Sequence, residues 1–359
     1  MVRLSIIAVF LCAIIPVLAF GKETANERTV SIVPFPIFAY SPDTRFVGGV
    51  GAIINSAPKD RNDDSKEDNI KILTFYTQNK QYELMTESEY YFWDNFLQVR
   101  CKAKMRKTPS EYYGIGPDTP ISMKEKYTYK SLALFFAPLV RVIDGFYIGP
   151  VFDFRRYKVD KYEANGEIDN ISSGSRLTKT PGIGGIISYD TRKGGFYVYS
   201  GELVELNFVQ YTAEMGGAFN FNKFSVNLKK FYQLYSSVIC GQIYTEILNG
   251  DMPFYSHPSV GGDDINQLRG YLYGRHADKF LTNIQVEYRF PVVWRFGMVL
   301  FAGAGEAEHK FSAFTSHPRA AGGAGIRFMV DKESKANLRL DLAYNGSEVL
   351  AYFNVLEAF

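Results

Sequence analysis

The stretch Leu97–Lys107 reads LQVRCKAKMRK. Leu97, Val99, Cys101, Ala103 and Met105 are apolar, and Gln98, Arg100, Lys102, Lys104 and Arg106 between them are polar, four of them cationic. The period is two, which puts the two sets on opposite faces of a β-strand. On a helix the same residues would scatter charge around the axis. The alternation recurs. Ile284, Val286, Tyr288 and Phe290 alternate with Asn283, Gln285, Glu287 and Arg289, and Leu338, Leu340, Leu342 and Tyr344 alternate with Asn337, Arg339, Asp341 and Ala343. KFSVNLK (223–229) and LVELNF (203–208) repeat it, and no helical-period segment of useful length intervenes.

The pattern predicts an all-β chain of sixteen strands, near 30–40, 45–56, 69–79, 82–93, 95–106, 124–138, 143–157, 180–190, 196–209, 217–229, 236–248, 280–290, 296–306, 319–330, 336–345 and 348–359. From the third strand on, short links such as WDN and VIDG alternate with mostly longer ones, the long ones at 107–123, 157–179, 249–279 and 307–318. Short turns on one side and long loops on the other mark an antiparallel outer-membrane barrel. In such a barrel the apolar face meets lipid and the cations line the lumen, and closure satisfies every backbone polar group. The competing reading is a secreted sandwich with its apolar face on a core. The charged link 57–68 falls on the short-turn side and fits neither side of the pattern.

The first residues carry Arg3, an apolar run from Leu4 and the small-residue site Val17-Leu18-Ala19, so residues 1–19 are expected to be a cleaved secretory signal, leaving one barrel domain at 20–359. No other apolar run reaches the roughly 20 residues of a membrane helix. Of three cysteines, Cys12 leaves with the signal, and Cys101 and Cys240 are expected as buried free thiols rather than a disulfide framework. Net charge is only +2, which argues against nucleic-acid binding. The 29 Phe and 25 Tyr suit interfacial girdles, though a sandwich core would also use them.

Gly262-Asp263-Asp264, with His257 and His276 nearby, invites an enzyme reading. No nucleophile motif accompanies them, all four histidines lie in or beside loops, and solvated loop polars are the expectation. GGAGIRF (322–328) opens no helix and so is no phosphate cradle. No metal-ligand spacing is present, and no cofactor or catalytic residue is expected.

The longest loop, Pro253–Phe280, carries Leu268-Arg269-Gly270-Tyr271 near its middle. This resembles the sixth outer loop of the BamA/TamA superfamily of outer-membrane barrels, also called bacterial surface antigens, whose [VL]RG[FY] tip folds back into the lumen. PFPIFAYSPDT (34–44), YYGIGPDT (112–119) and ISYDTRKG (187–194) resemble other pieces of the family. After the loop NIQVEYRFP, VLFAGAGEA, GGAGIRF and LRLDLAYN follow in family order, and the chain ends on Phe359, which the resemblance makes a C-terminal assembly signal. Two departures stand out. No periplasmic POTRA repeats are recognisable, and the family's F-x-D-x-G strand reads Phe301-Ala302-Gly303-Ala304-Gly305, with Gly303 in place of the acid that pairs with the loop arginine.

A lumen loop of that length needs an anchor, and a guanidinium offers five donors in a fixed fork. Glu287 and Asp341 occupy inward positions by parity on the first and fourth strands after the loop; both are candidate partners of Arg269, with Glu287 preferred as the nearer. Pro34 and Pro36 remove donors along one edge of the first strand, which would weaken a first/last-strand seam, unless they precede the paired region. The resemblance implies assistance to protein or lipid insertion into, or passage across, the outer membrane. The alternative is a passive pore or structural barrel. Expected partners are outer-membrane lipid, unfolded outer-membrane proteins or lipids as clients, and a separate POTRA-bearing or periplasmic protein or a second copy of the chain.

Overall fold

The structure, a computed structural model, describes residues 28–41, 45–58, 66–162, 166–171, 177–261, 268–313, 315–332 and 335–359. The expected signal at 1–19, most of the charged link 57–68 and the Gly262-Asp263-Asp264 stretch lie outside them.

Sixteen strands follow one another: β1 (Arg28–Ser41), β2 (Arg45–Pro58), β3 (Asp68–Thr77), β4 (Tyr82–Phe92), β5 (Leu97–Tyr112), β6 (Glu125–Ile143), β7 (Phe146–Lys161) and β8 (Thr178–Asp190). After them come β9 (Gly201–Tyr211), β10 (Asn220–Leu234), β11 (Ser237–Asp251), β12 (Phe280–Val293), β13 (Phe296–Glu308), β14 (Arg319–Met329), β15 (Asn337–Tyr344) and β16 (Val349–Val355). They form one sheet whose order is the chain order. The chain divides into two compact units. The first comprises Met1–Glu111, Glu125–Ile186 and Val209–Asn220; the second comprises Tyr112–Lys124, Ile187–Phe208 and Phe221–Phe359.

In the first unit, β4 and β5 show why alternation builds this sheet. Their register sets Glu83 opposite Arg106 and Glu87 opposite Lys102. Lys102 lies 3.9 Å from Glu87, and Lys104 lies 3.6 Å from Glu83. The charged row is thus cross-paired on one face. On the other face Val99, Cys101 and Ala103 are buried, where the sequence suggested lipid contact. Larger neighbours account for this. Ile70 and Phe136 pack against the Val99–Cys101 cluster, and Leu132 and Leu134 against Ala103, so the flanking side chains carry that surface outward. The turn between β4 and β5 places Trp93, Asp94 and Asn95 all at positive φ. Asp and Asn tolerate that conformation, which keeps the link short.

In the second unit the alternation is inverted relative to a water-soluble protein. On β12, Ile284, Val286 and Tyr288 are exposed while Gln285, Glu287 and Arg289 are buried, Arg289 to 1 % exposure. On β15, Leu340 and Leu342 are exposed and Asp341 is inaccessible. Apolar side chains outside and charged ones inside require a hydrocarbon exterior. Among the described residues no helix is long and apolar enough to cross a membrane.

One alternative falls away and one expectation needs correction. Pro34 and Pro36 do not precede the paired region: they lie inside β1, opposite Ala52 and Val50 of β2. The last strand does not run to Phe359 but ends at Val355. Leu356 takes φ +69°, and its N–H donates to Asn337 O at 2.7 Å. That turns residues 356–359 away, and Ala358 and Phe359 bury themselves against Phe231, Val238 and Cys240. Burial of the Phe359 ring outweighs continued pairing of the strand end. Cys101 and Cys240 are buried thiols outside any disulfide.

Candidate functional site

The site lies wholly in the second unit and is built on the connection from β11 to β12, residues 252–279. Its tip is Leu268–Tyr271, and each of the four residues has a distinct hold. Leu268 is buried with Val260, Leu281, Ala307 and Ala321, and its N–H donates to Val260 O at 2.9 Å. Arg269 is buried. Its Nη1 donates to Asp341 Oδ2 at 2.6 Å, and its Nη2 pairs with Glu287 Oε1. The ring of Phe301, first residue of the FAGAG strand, lies 3.7 Å from the guanidinium carbon, covering its face.

Gly270 takes φ +111°, a region that side-chain-bearing residues avoid. Its N–H donates to Tyr352 Oη at 2.8 Å, and its carbonyl accepts from Asn345 Nδ2 at 2.8 Å. Tyr271 Oη donates to Ala320 O at 2.9 Å.

Around the arginine lies a closed set of charges. Arg289 Nε donates to Glu287 Oε2 at 2.8 Å, and Arg327 Nη1 to Asp341 Oδ1 at 2.5 Å. Arg339 Nη1 reaches Asp341 Oδ2 at 3.3 Å. Arg327 Nε donates to Glu357 Oε2 at 2.8 Å, and Arg289 Nη2 to Phe359 O at 2.9 Å. Glu287 and Asp341 both hold Arg269, so the preference for Glu287 alone is corrected. Inward positions on β12 and β15 flank the same guanidinium, and the acid absent at 303 is replaced by Asp341 from two strands further on.

Gly303 has a role of its own. A Cβ there would stand 2.6 Å from Leu268 Cδ1 and 2.7 Å from Ile284 O. The space that an acid would fill is taken by the loop's own leucine.

The segment Tyr112–Thr119 clamps the outer part of the loop. Gly116 N–H donates to Ala277 O at 2.9 Å, His276 Nδ1–H donates to Pro117 O at 2.9 Å, and Arg275 Nη1 donates to Thr119 Oγ1 at 3.1 Å. Arg319 donates to Pro117 O at 3.0 Å and pairs with Asp118. These partners lie far apart along the chain, and nothing in their spacing announces them; the only sequence signal is the family-like YYGIGPDT itself.

His257 and His276 are each held by a main-chain carbonyl. Burial lowers the pKa of His257, whose Nδ1 bonds Phe254 O at 3.1 Å. Burial, aided by the nearby Arg319 and Arg275, pushes His276 down to about 4. The folded loop therefore takes that proton only near pH 4, whereas the free side chain takes it near 6.5. Protonation favours the released loop, so the clamp is at full strength above about pH 6.5, weakens as pH falls towards 4 and is level below. The protection factors of the Gly116 and Val260 amides, taken against the intrinsic exchange rate at each pH, are expected to fall over that window. His276→Gln should flatten the response; an unchanged response would assign it to another group.

Comparison with known proteins places these observations. The model of the Omp85 superfamily domain matches residues 151–350. Among solved structures, BamA from Haemophilus ducreyi lacking POTRA domains 1–3 superposes with a TM-score of 0.56 at 10 % identity, covering 92 % of this chain and 69 % of that one. CdiB from Acinetobacter baumannii gives 0.53 at 8 % identity, covering 92 % of this chain and 60 % of that one. At such identities the likeness is one of fold: a sixteen-stranded antiparallel β-barrel of the outer membrane. No curated protein matches the sequence.

Proposed function

The chain belongs to the Omp85 superfamily, and from that membership we propose that this outer-membrane barrel assists the insertion of protein or lipid into the outer membrane, or its passage across it. We read the role as non-enzymatic: His257 and His276 are held by main-chain carbonyls, and the charged groups at the tip pair with one another. One observation carries the reading. The tip Leu268-Arg269-Gly270-Tyr271 is laid against the inner face of β12–β15 and held by Glu287 and Asp341. A passive pore has no use for a loop pinned by a buried ion-pair network, since such a network adds little to stability over an apolar replacement. It does define one position of the loop, which a moving client could displace as a unit.

The test is client insertion. The purified chain is reconstituted in liposomes, an unfolded outer-membrane protein is added, and folding is followed by protease protection, with Arg269→Ala alongside. Folding faster than in empty liposomes, with the gain lost in the variant, is the expected result. A folded chain that gives no gain would overturn the proposal and leave a pore or a structural barrel.

A further inference from the structure

At the outer end of β13, Glu306 and Glu308 stand two residues apart on one face, and each is 3 % exposed. Glu306 Oε2 accepts the Thr315 N–H at 2.7 Å and its Oε1 the His317 N–H at 2.6 Å. Glu308 Oε1 lies 2.6 Å from His317 Nδ1. The other ring nitrogen, Nε2, faces Asp118 Oδ2 at 3.3 Å, and Asp118 is itself held by Arg319. One ligand atom from each of Glu306, Glu308 and His317 lies within 4.8 Å of the others.

Among the described residues the one positive charge at hand for the two carboxylates is that of His317 when its imidazole is protonated. Among the described residues no lysine or arginine pairs with Glu306 or Glu308, and two adjacent carboxylates are buried at a cost of several kcal/mol each unless compensated. The imidazole sharpens the point. With Nδ1 unprotonated its lone pair would face the Glu308 oxygen, two acceptors 2.6 Å apart, so that contact is held by a ring proton or by a cation in its place. A carboxylate behind the far nitrogen of a histidine is also how metal-binding imidazoles are oriented and fixed in one tautomer.

We propose that Glu306, Glu308 and His317 bind a divalent cation of the zinc class, with Asp118 orienting the imidazole. The donor set is one nitrogen and two carboxylates, which suits zinc better than calcium, a cation that takes oxygen ligands in larger number. The three ligand atoms, already within 4.8 Å of one another, would adjust to tetrahedral spacing around the ion. Ligands at about 2.0–2.2 Å around a tetrahedral centre stand roughly 3.3 Å apart, so Nδ1 and Glu308 Oε1 need only separate modestly. The two carboxylates then neutralise the ion. Through Asp118 the cation joins the end of β13 and the 309–318 loop to the Tyr112–Thr119 segment, the same segment that clamps the loop above Arg269. It acts as a staple on the outer loops.

The full chain, folded in detergent and stripped with a chelator, is titrated with zinc and, in parallel, with calcium, by calorimetry and elemental analysis. Glu308→Gln and His317→Asn are carried alongside, and the folding of each is checked by heat-modifiable gel migration. Stoichiometric zinc binding is expected, at least about tenfold weaker in either variant and some tenfold weaker in Asp118→Asn, with slower proteolysis of residues 309–318 in the zinc-loaded chain. Failure of the folded chain to bind zinc, or equal binding by both variants, overturns the site. Calcium bound as tightly as zinc overturns the assigned class. Loop protection that follows pH but not zinc gives the gap to a proton and likewise overturns the proposal.

Discussion

Replacing Asp341 by Asn is expected to be the most damaging single change in the second unit, costing about 3–5 kcal/mol or preventing folding outright. Three guanidinium groups, those of Arg269, Arg327 and Arg339, converge on this inaccessible carboxylate. Asparagine keeps the shape, removes the charge and turns an NH2 group towards arginine donors. The wider cluster holds four arginines, 269, 289, 327 and 339, against three side-chain carboxylates, Glu287, Asp341 and Glu357. Loss of an acid therefore leaves buried arginine charge uncompensated. Loss of Arg269 leaves each acid with a partner. Arg269→Ala leaves Glu287 with Arg289, and Asp341 with Arg327 and Arg339, so its cost falls at or below the lower end of that range and is felt at the loop tip. The two variants separate stability from loop position. Urea unfolding should show a large shift for Asp341→Asn and a small one for Arg269→Ala, whereas proteolysis of residues 252–279 should quicken in both. Adding Arg339→Met to Asp341→Asn should recover part of the loss. An Asp341→Asn chain as stable as the parent would show that water, not this carboxylate, balances the arginines.

The second large effect is expected at Gly303. The family places an acid at the matching position, so restoring one looks like a repair. The structure argues that it is damage. A side chain at 303 meets Leu268 Cδ1 at 2.6 Å and the carbonyl of Ile284 at 2.7 Å. Leu268 can turn away; the Ile284 carbonyl, part of the ladder between β12 and β13, cannot. Overpacking of this kind costs about 1–3 kcal/mol, so Gly303→Ala should destabilise by that amount, and Gly303→Asp by more, because its carboxylate enters beside a leucine. Leu268→Ala should restore part of the loss to Gly303→Ala but not the whole, since the carbonyl remains. The readouts are urea unfolding and protease cleavage within 252–279. A Gly303→Asp chain with a protected loop and undiminished stability would mean that Leu268 has another place to go, and that the acid is only absent rather than excluded.

Much of the site is legible in the amino-acid sequence. Arg269 and Gly270 stand out by motif, and Glu287 and Asp341 by strand parity. Parity shows that two acids point to the same side, but not which one lies nearer the loop; that depends on how far the tip reaches along β12–β15. The tail departs from its pattern for a related reason. Phe359 continues an alternating run, and only the pocket made by Phe231, Val238 and Cys240 explains why the chain leaves the sheet at Leu356. The YYGIGPDT stretch stands out along the chain but not its partners in the clamp, and the Glu306–Glu308–His317 cluster leaves no local trace.

What the sequence determined by itself is what depends on neighbours along the chain. A period of two is imposed by strand geometry, so sixteen alternating segments, the two faces of each and the alternation of short and long links could be read residue by residue, though on β5 not which face is covered. What only the tertiary structure decided is which distant residues meet. Arg269 and Asp341 are 72 positions apart, and Arg319 and Asp118 are 201. Their contacts follow from inter-strand register and from the depth of a folded-back loop, which are properties of the assembled sheet. No residue's nearest neighbours carry that information, because the same alternating strand satisfies its own geometry in any register that keeps its apolar face outward.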